Sequence, residues 1–270
     1  MIRKGAITAA DLETFTKSNI LFRDQTWTTA AAYLIREHKP NLLLYHLLSL
    51  DSTHHTYGPS TLGATDAIAF LDSCVARLVD AVHAAGMTER TTFLIVSDHG
   101  FKKYTKEVHP NVALAAAGLS KQVYIMPEGG TAFVYIEPSQ TAELAPKVIA
   151  ALAGVEGIDQ ILGPENFAAL GLPQPAQDPQ MFQLLITAKS GYSVSGATGG
   201  PVTAAVPQQA GSHGYLASDP EMDPIFIASG YGVHAGAKLP RIANLDVAAT
   251  IAQLLGVSLP SGKGKPVPLQ

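Results

Sequence analysis

Three short segments of the chain contain residue types that bind metal ions. They are residues 51–55 (DSTHH), residues 97–100 (SDHG) and residues 211–214 (GSHG). Each segment places an Asp, a His or both just after, or beside, an apolar run, which is how a parallel sheet delivers ligands to its carboxyl edge. Metal ligands at such an edge predict the core of a metal-dependent hydrolase.

The spacing of these residues indicates how they could share an ion. Asp51 and His55 are four residues apart, so a helical turn would place both side chains on one face. Asp98 and His99 are adjacent, so they can bind one ion only where the chain leaves its strand, and the glycine that follows makes this easy. His213 lies between two glycines, which let the backbone approach an ion closely. Alone, each pattern also fits a hydrogen-bonded core His or a helix-capping Asp, so the prediction depends on all three together.

The elements that must position these residues alternate between helix and strand. The hydrophobic pattern predicts helices over about 27–37, 62–85, 142–152 and 245–255, and strands over about 42–50, 92–96, 122–126, 131–136, 182–187 and 225–228. Asp51 would then lie at the end of the apolar strand 42–50. Asp11 and Asp24 are each predicted to lie at the start of a helix. Residues 190–209, rich in Gly, Ser, Thr and Pro, predict an irregular surface excursion.

The composition excludes several classes of protein. The chain has 270 residues, 47% of them hydrophobic, with a formal net charge of -4 and an isoelectric point near 6.1. Such a charge argues against a protein that holds nucleic acid by its surface field. No apolar run approaches the ~20 residues that span a bilayer, so no transmembrane helix is predicted, and no signal peptide is visible. The single Cys74 excludes an internal disulfide.

The order of the motifs resembles a known family. Asp-x-x-x-His, Ser-Asp-His-Gly and Gly-x-His-Gly, with residues 219–222 (DPEM) and 246–248 (DVA) downstream, are similar to the type I phosphodiesterase/nucleotide pyrophosphatase branch of the alkaline phosphatase superfamily. The resemblance runs from about Asp24 to the end. It implies an α/β fold with a doubly wound, mostly parallel sheet. It also implies zinc-dependent hydrolysis of phosphodiester or pyrophosphate bonds in a small phosphate ester or nucleotide, by two-metal phosphoryl transfer.

The resemblance also implies a ligand set. Asp51, His55 and His213 would hold one zinc ion, and Asp98 and His99 would hold the second. Three protein ligands are typical of a catalytic zinc, so one well-formed site is expected and the two-ligand site should bind weakly.

Two tyrosines are candidates for substrate binding. Tyr57 and Tyr215 lie close to the ligand segments and could stack on a nucleobase or another leaving group. Packing is the competing interpretation for both.

The chain departs from the family pattern at its beginning. The family starts with a strand that ends in a further metal-binding Asp, followed by a nucleophilic Thr or Ser, and residues 1–19 show neither. We therefore identify no catalytic nucleophile. Residues 1–270 are expected to form one partial alkaline phosphatase-like domain that lacks its first strand, with an inserted α+β or lid region at about 120–210.

Several interpretations stay open at this stage. The chain could be the carboxyl-terminal portion of a longer enzyme, a non-catalytic metal-binding remnant, or another hydrolase of the superfamily such as a phosphomonoesterase or sulfatase. An exposed sheet edge would favour a homo-oligomer or a complementing amino-terminal segment. The compartment is not predicted, although members of the family are often exported.

Overall fold

The computed structural model describes residues 1–269, which contain both helices and strands. The α-helices are α1 (Ala9–Phe15), α2 (Ile20–His38), α3 (Ser49–Tyr57), α4 (Leu62–Ala84), α5 (Pro110–Ala116), α6 (Thr141–Leu152), α7 (Pro164–Phe167) and α8 (Leu245–Leu255). The strands are β1 (Thr92–Val96), β2 (Lys102–Val108), β3 (Val123–Pro127), β4 (Thr131–Ile136), β5 (Ile158–Leu162), β6 (Leu184–Ala188), β7 (Gly191–Val194), β8 (Thr203–Ser212) and β9 (Phe226–Gly230). The chain divides into two compact units.

The first unit contains residues 1–52, 65–98 and 224–269. Its core lies where side chains of α2 pack on those of α4. The buried residues of this cluster are Ala31, Ala32, Ile35, Leu78, Ala81 and Val82. β1 and β9 form a two-stranded antiparallel sheet in which Leu94 lies opposite Ala228.

Residues 42–48 form no strand, so the strand predicted over 42–50 is wrong in this structure. The chain enters α3 at Ser49 instead. The N–H groups of Leu48 and Ser49 donate to the carboxylate of Asp24, at 3.1 Å and 2.9 Å, rather than to a neighbouring strand. A continuous apolar run indicates burial but does not by itself determine the element, which explains the error.

The two acidic residues that were predicted to start helices behave differently. Asp11 is confirmed, because its side chain and that of Thr8 form a reciprocal capping box at the start of α1. Asp24 is not a helix start: it is the fifth residue of α2, is fully buried, and lies beyond the cap that Asn19 supplies. Helix propensity does not reveal a partner that is distant in sequence, so this role could not be inferred from local pattern.

The second unit contains residues 53–64 and 99–223. Its four-stranded sheet has the order β3-β4-β6-β5 and is antiparallel throughout. A three-stranded sheet has the order β7-β2-β8, in which β2 runs parallel to β7 and antiparallel to β8. The largest apolar cluster of this unit includes Leu114 of α5, Leu152 of α6, and Val134 and Ile186 of the four-stranded sheet.

Residues 190–209 are only partly irregular: residues 191–194 and 203–209 lie in strands, and the predicted excursion is confined to residues 195–202. The two strands are β7 and most of β8. The pairing of β8 with β2 shifts between Tyr104 opposite Ala210 and Lys106 opposite Ala205. Residues 206–209 therefore bulge out of the ladder, and Pro207 lies in this bulge, where its missing N–H breaks no ladder bond.

None of the helices within residues 1–269 combines the length and the hydrophobicity that crossing a membrane requires.

Candidate metal centre

Helix α3 carries two of the predicted ligands. Asp51 is its third residue and His55 its seventh, so a single helical turn separates them on one face. His213 follows directly after β8. Each of the three side chains offers one ligand atom, and these atoms all lie within 4.8 Å of one another. One carboxylate oxygen and two imidazole nitrogens are a donor set that suits zinc, so the residues present fit a zinc ion.

A backbone carbonyl orients the ring of His55. Its Nδ1 atom lies 3.2 Å from the carbonyl oxygen of Gly211. A carbonyl oxygen only accepts, so Nδ1 carries the proton and donates, which leaves the lone pair of the ring on Nε2. Gly211 is required here because a Cβ at this position would lie 2.4 Å from the carbonyl oxygen of His54 and 3.1 Å from Pro59. The absence of a side chain thus allows β8 to approach the end of α3.

The backbone of His213 is held by the turn between β3 and β4. Gly130 donates its N–H to the carbonyl oxygen of His213 at 2.8 Å. Gly214 has a φ of +77°, and a Cβ there would lie 1.7 Å from the carbonyl oxygen of Glu128. The glycine after His213 is therefore required both by its left-handed backbone and by this close approach.

The ring of His99, which was expected at a second metal site, packs directly against the ring of His213. The two rings stack with centroids 3.9 Å apart and an interplanar angle of 17°. Nδ1 of His99 lies 3.0 Å from the carbonyl oxygen of Gly100, so Nδ1 donates and the lone pair of this ring is again on Nε2. Asp98 is exposed, and its carbonyl oxygen accepts from the side-chain amide of Asn244 at 3.2 Å.

Phe101 is central to this group and was not predicted from the sequence. Its ring makes edge contacts with four imidazoles at centroid distances of 4.9 to 5.4 Å, namely those of His54, His55, His99 and His213. Such edge-to-face packing restricts the orientation of the rings. The available signal was the position of an aromatic residue directly after the SDHG segment.

Lys102 follows Phe101 but supplies no uncompensated positive charge. Its ammonium group lies 2.6 Å from a carboxylate oxygen of Asp219 and 3.3 Å from one of Glu221. Burial favours the neutral amine, yet the two carboxylates outweigh it and raise the pKa of Lys102. Burial likewise opposes ionisation of Asp219, but the bond from Lys102 keeps the pKa of Asp219 below its usual value. An anionic substrate would have to find its positive charge elsewhere.

The two candidate substrate tyrosines differ in exposure. Tyr57, the last residue of α3, is 54% exposed. Tyr215 is partly buried, its hydroxyl donates to the carbonyl oxygen of Tyr192 at 2.6 Å, and burial raises the pKa of its phenol. Gly130 packs against the Tyr215 ring, since a Cβ there would lie 2.2 Å from it. Whether either ring contacts a substrate stays a prediction.

A mixed α/β fold with an Asp/His/His group places the chain among the metallohydrolase-like proteins, and comparison with known proteins narrows this class. The family described as type I phosphodiesterase / nucleotide pyrophosphatase matches residues 9–216. The chain belongs to this family, as the order of its motifs predicted. The family is one of hydrolases.

Curated relatives match different shares of the chain. Ectonucleotide pyrophosphatase/phosphodiesterase family member 7 of Rattus norvegicus is 24% identical over 233 residues, which are 82% of this chain and 48% of that protein. GPI ethanolamine phosphate transferase 1 of Saccharomyces cerevisiae is 29% identical over 111 residues, which are 38% of this chain and 12% of that protein. The chain therefore spans about half of the first relative's length.

A solved structure shares the fold. Murine ectonucleotide pyrophosphatase / phosphodiesterase 5, in an inactive variant in complex with AMP, matches with a TM-score of 0.71 at 17% identity, covering 90% of this chain and 61% of that chain. This similarity confirms the predicted α/β fold class. The expectation of a mostly parallel sheet is not met among residues 1–269, where only β2 and β7 pair in parallel.

Proposed function

We propose that this chain forms the zinc-binding part of a nucleotide pyrophosphatase/phosphodiesterase that hydrolyses phosphodiester or pyrophosphate bonds. The observation that carries the proposal is the grouping of Asp51, His55 and His213, whose ligand atoms lie within 4.8 Å in a chain that belongs to this family. The AMP bound by the murine relative supports a nucleotide as the substrate class.

We further propose that Asp98 and His99 hold a second zinc ion. The support is the position of His99, whose ring stacks on that of His213, so that its ligand nitrogen belongs to the same cluster of imidazoles. Zinc bound in such a centre supplies Lewis-acid stabilisation of the charge that develops on the phosphoryl oxygens.

The side chains of the centre have separate tasks in this proposal. His55 and His99 each donate an Nδ1 proton to a carbonyl oxygen, which selects the tautomer that presents Nε2. Phe101 packs against these rings and restricts their orientation. Because Lys102 is neutralised by two carboxylates, binding of a phosphate ester depends on the metal for its positive charge.

The test combines zinc content with hydrolysis of bis(p-nitrophenyl) phosphate by the 270-residue chain. We expect His213→Ala to weaken zinc binding at least about 100-fold, because two ligands rarely retain the ion. His234→Ala is the matched control, since His234 is exposed and stands outside the ligand group. Its zinc stoichiometry should equal that of the unmodified chain.

Two outcomes would distinguish an active enzyme from a metal-binding protein without activity. Zinc-dependent turnover that disappears in Asp98→Ala would support catalysis by residues of this chain. Tight zinc binding without turnover would make the chain a metal-binding protein under these conditions. Unchanged zinc content in His213→Ala would contradict the proposal altogether.

A further inference from the structure

The metal-ligand helix α3 begins without a local cap. A helix leaves its first N–H groups without partners, and the residue before the first turn usually satisfies one of them with a Ser, Thr, Asp or Asn side chain. In α3 this position is held by Leu48, whose side chain has no acceptor. The start of the helix must therefore be stabilised by another part of the chain.

Asp24 stabilises it from α2. Both carboxylate oxygens of Asp24 lie 3.1 Å from the N–H nitrogen of Leu48, and one of them lies 2.9 Å from that of Ser49. The two partners are 24 and 25 residues away in sequence. All of these groups belong to the first unit.

The burial of this carboxylate is costly unless it is bonded. Asp24 is 0% exposed, and an ionised carboxylate removed from water loses a large hydration energy. Two backbone donors and the positive end of a helix dipole compensate this loss. The neighbours of Asp24 indicate what this arrangement does for α3.

The role of Asp24 follows from comparison with two other helices of the first unit. In α1, Asp11 at the third helical position turns back and accepts from the N–H of Thr8 at 2.7 Å. In α8, Asp246 at the second helical position likewise accepts from the N–H three residues earlier, that of Ala243, at 3.0 Å. An Asp in the first turn thus caps its own helix in both cases.

In α3, the residue at the equivalent third position is the metal ligand Asp51. The N–H that such a residue would bond is that of Leu48, and Asp24 accepts from it instead.

We propose that Asp24 is a positioning residue for the metal centre. Because Asp24 accepts from the N–H of Leu48, the carboxylate of Asp51 is not needed to cap its own helix. Asp24 also fixes the first turn, on which the one-turn spacing of Asp51 and His55 depends. This inference rests on the proposed function, because it assigns Asp51 and His55 to a bound zinc ion.

The test measures zinc affinity by titration with zinc alone and amide hydrogen exchange of residues 48–52 without metal. We expect Asp24→Ala to weaken zinc binding by about 10- to 100-fold, the range found when a group that orients metal ligands is removed. Exchange at these amides should accelerate at least about tenfold, since an opened first turn loses its protection. Asp24→Asn retains one acceptor oxygen and should recover most of the affinity.

Asp11→Ala is the matched control. It removes the acidic capping residue of α1, so it tests whether loss of any helix cap in the first unit produces the same effects. Its zinc affinity and the exchange of residues 48–52 should stay within about twofold of the unmodified chain, the range of a change at a distant site.

The possible results are distinguishable. A folded Asp24→Ala with unchanged zinc affinity, or with unchanged exchange at residues 48–52, would overturn the positioning role. If this variant fails to fold, Asp24→Asn and Asp24→Ser decide the question. Asn keeps an acceptor oxygen at the distance of a carboxylate oxygen, whereas the hydroxyl of Ser lies one bond closer to the α2 backbone, so zinc affinity should be largely kept in the first variant and reduced in the second. If the unmodified chain binds no zinc, the proposed function fails, whereas the metal-free exchange experiment still decides whether Asp24 orders α3.

Discussion

The two units of the molecule have similar lengths but bury their apolar side chains to different extents. The main core cluster of the second unit has fifteen buried residues, and that of the first unit has six. Among residues 1–269, sixteen of the twenty-one large hydrophobic side chains that are exposed belong to the first unit. Leu44, at 77% exposed, and Leu245, at 63% exposed, are examples.

The difference follows from strand pairing. In the second unit, sheets of three and four strands offer a broad face against which α5 and α6 bury apolar side chains. The first unit has a single two-stranded sheet, an arrangement that is marginally stable without further packing. Its core consequently depends on the contact between α2 and α4. The expectation that the resulting apolar surface favours self-association stays a prediction.

The largest expected effect comes from comparing an enclosed glycine of the second unit, Gly214, with an open glycine of the first unit, Gly86. Gly214 and Gly86 have φ values of +77° and +67°, but only Gly214 has atoms within 4 Å of an added Cβ. Gly214→Ala should reduce the free energy of unfolding by about 4 kcal/mol, because strain and a backbone clash add. Gly86→Ala should lose about 1 to 2 kcal/mol from the left-handed backbone alone. Equal losses in urea denaturation would contradict the comparison.

The next effect compares the two cores directly. Leu152 in the second unit is 0% exposed and Leu78 in the first unit is 7% exposed. Leu152→Ala should destabilise by about 3 kcal/mol and Leu78→Ala by about 2 kcal/mol, since a smaller cluster collapses more easily around the space that is left. Thermal unfolding of both variants measures the difference. A larger loss at Leu78 would mean that the first unit is the better packed one.

The smallest effect concerns ion pairs. Lys102→Met removes the partner of the partly buried Asp219 and should cost about 1 to 2 kcal/mol near neutral pH. Lys4 and Glu37 form an exposed pair in the first unit, so Lys4→Met should leave stability unchanged within error.

The pH dependence of the Lys102 effect has a defined sign. The pKa of Asp219 lies below its ordinary value, so its contribution is present above about pH 4 and is lost as the pH falls through the folded pKa. The pKa of Lys102 is raised, so its contribution is complete below about pH 10 and is lost as the pH rises further. Denaturation of native and Lys102→Met chains at pH 3, 7 and 9 should show the difference shrinking only at pH 3. A constant difference would contradict the ion pair as its source.

Regular elements with a clear hydrophobic period could be predicted from the sequence. The helix over 62–84, the strands 92–96 and 131–136 and the helix 245–255 lie where the pattern placed them. Elements set by distant partners could not be predicted, because their residues lack a local signal. β2, with the sequence KKYTKEV, is a charged segment that becomes a strand by pairing on both edges.

The candidate site shows the same division. Spacing alone grouped Asp51 with His55, and motif order added His213, which the structure brings within 4.8 Å of them. The residues that support the site could not be predicted from spacing. Phe101 contacts the imidazoles, and Asp24 bonds the start of α3, 24 residues further along the chain. Both act through contacts that exist only after folding. That the site residues bind zinc stays a prediction.

The remote cap on α3 has a consequence for the order of folding. α3 has nine residues, fewer than the ~12 to 15 that an isolated helix needs to persist in water. Its first turn is completed by Asp24, so α3 can become stable only once α2 has formed and the chain has returned to it. A metal ion present during synthesis would meet Asp51 and His55 before they have helical spacing. We therefore expect the proposed metal centre to assemble only after α2 has bonded residues 48 and 49.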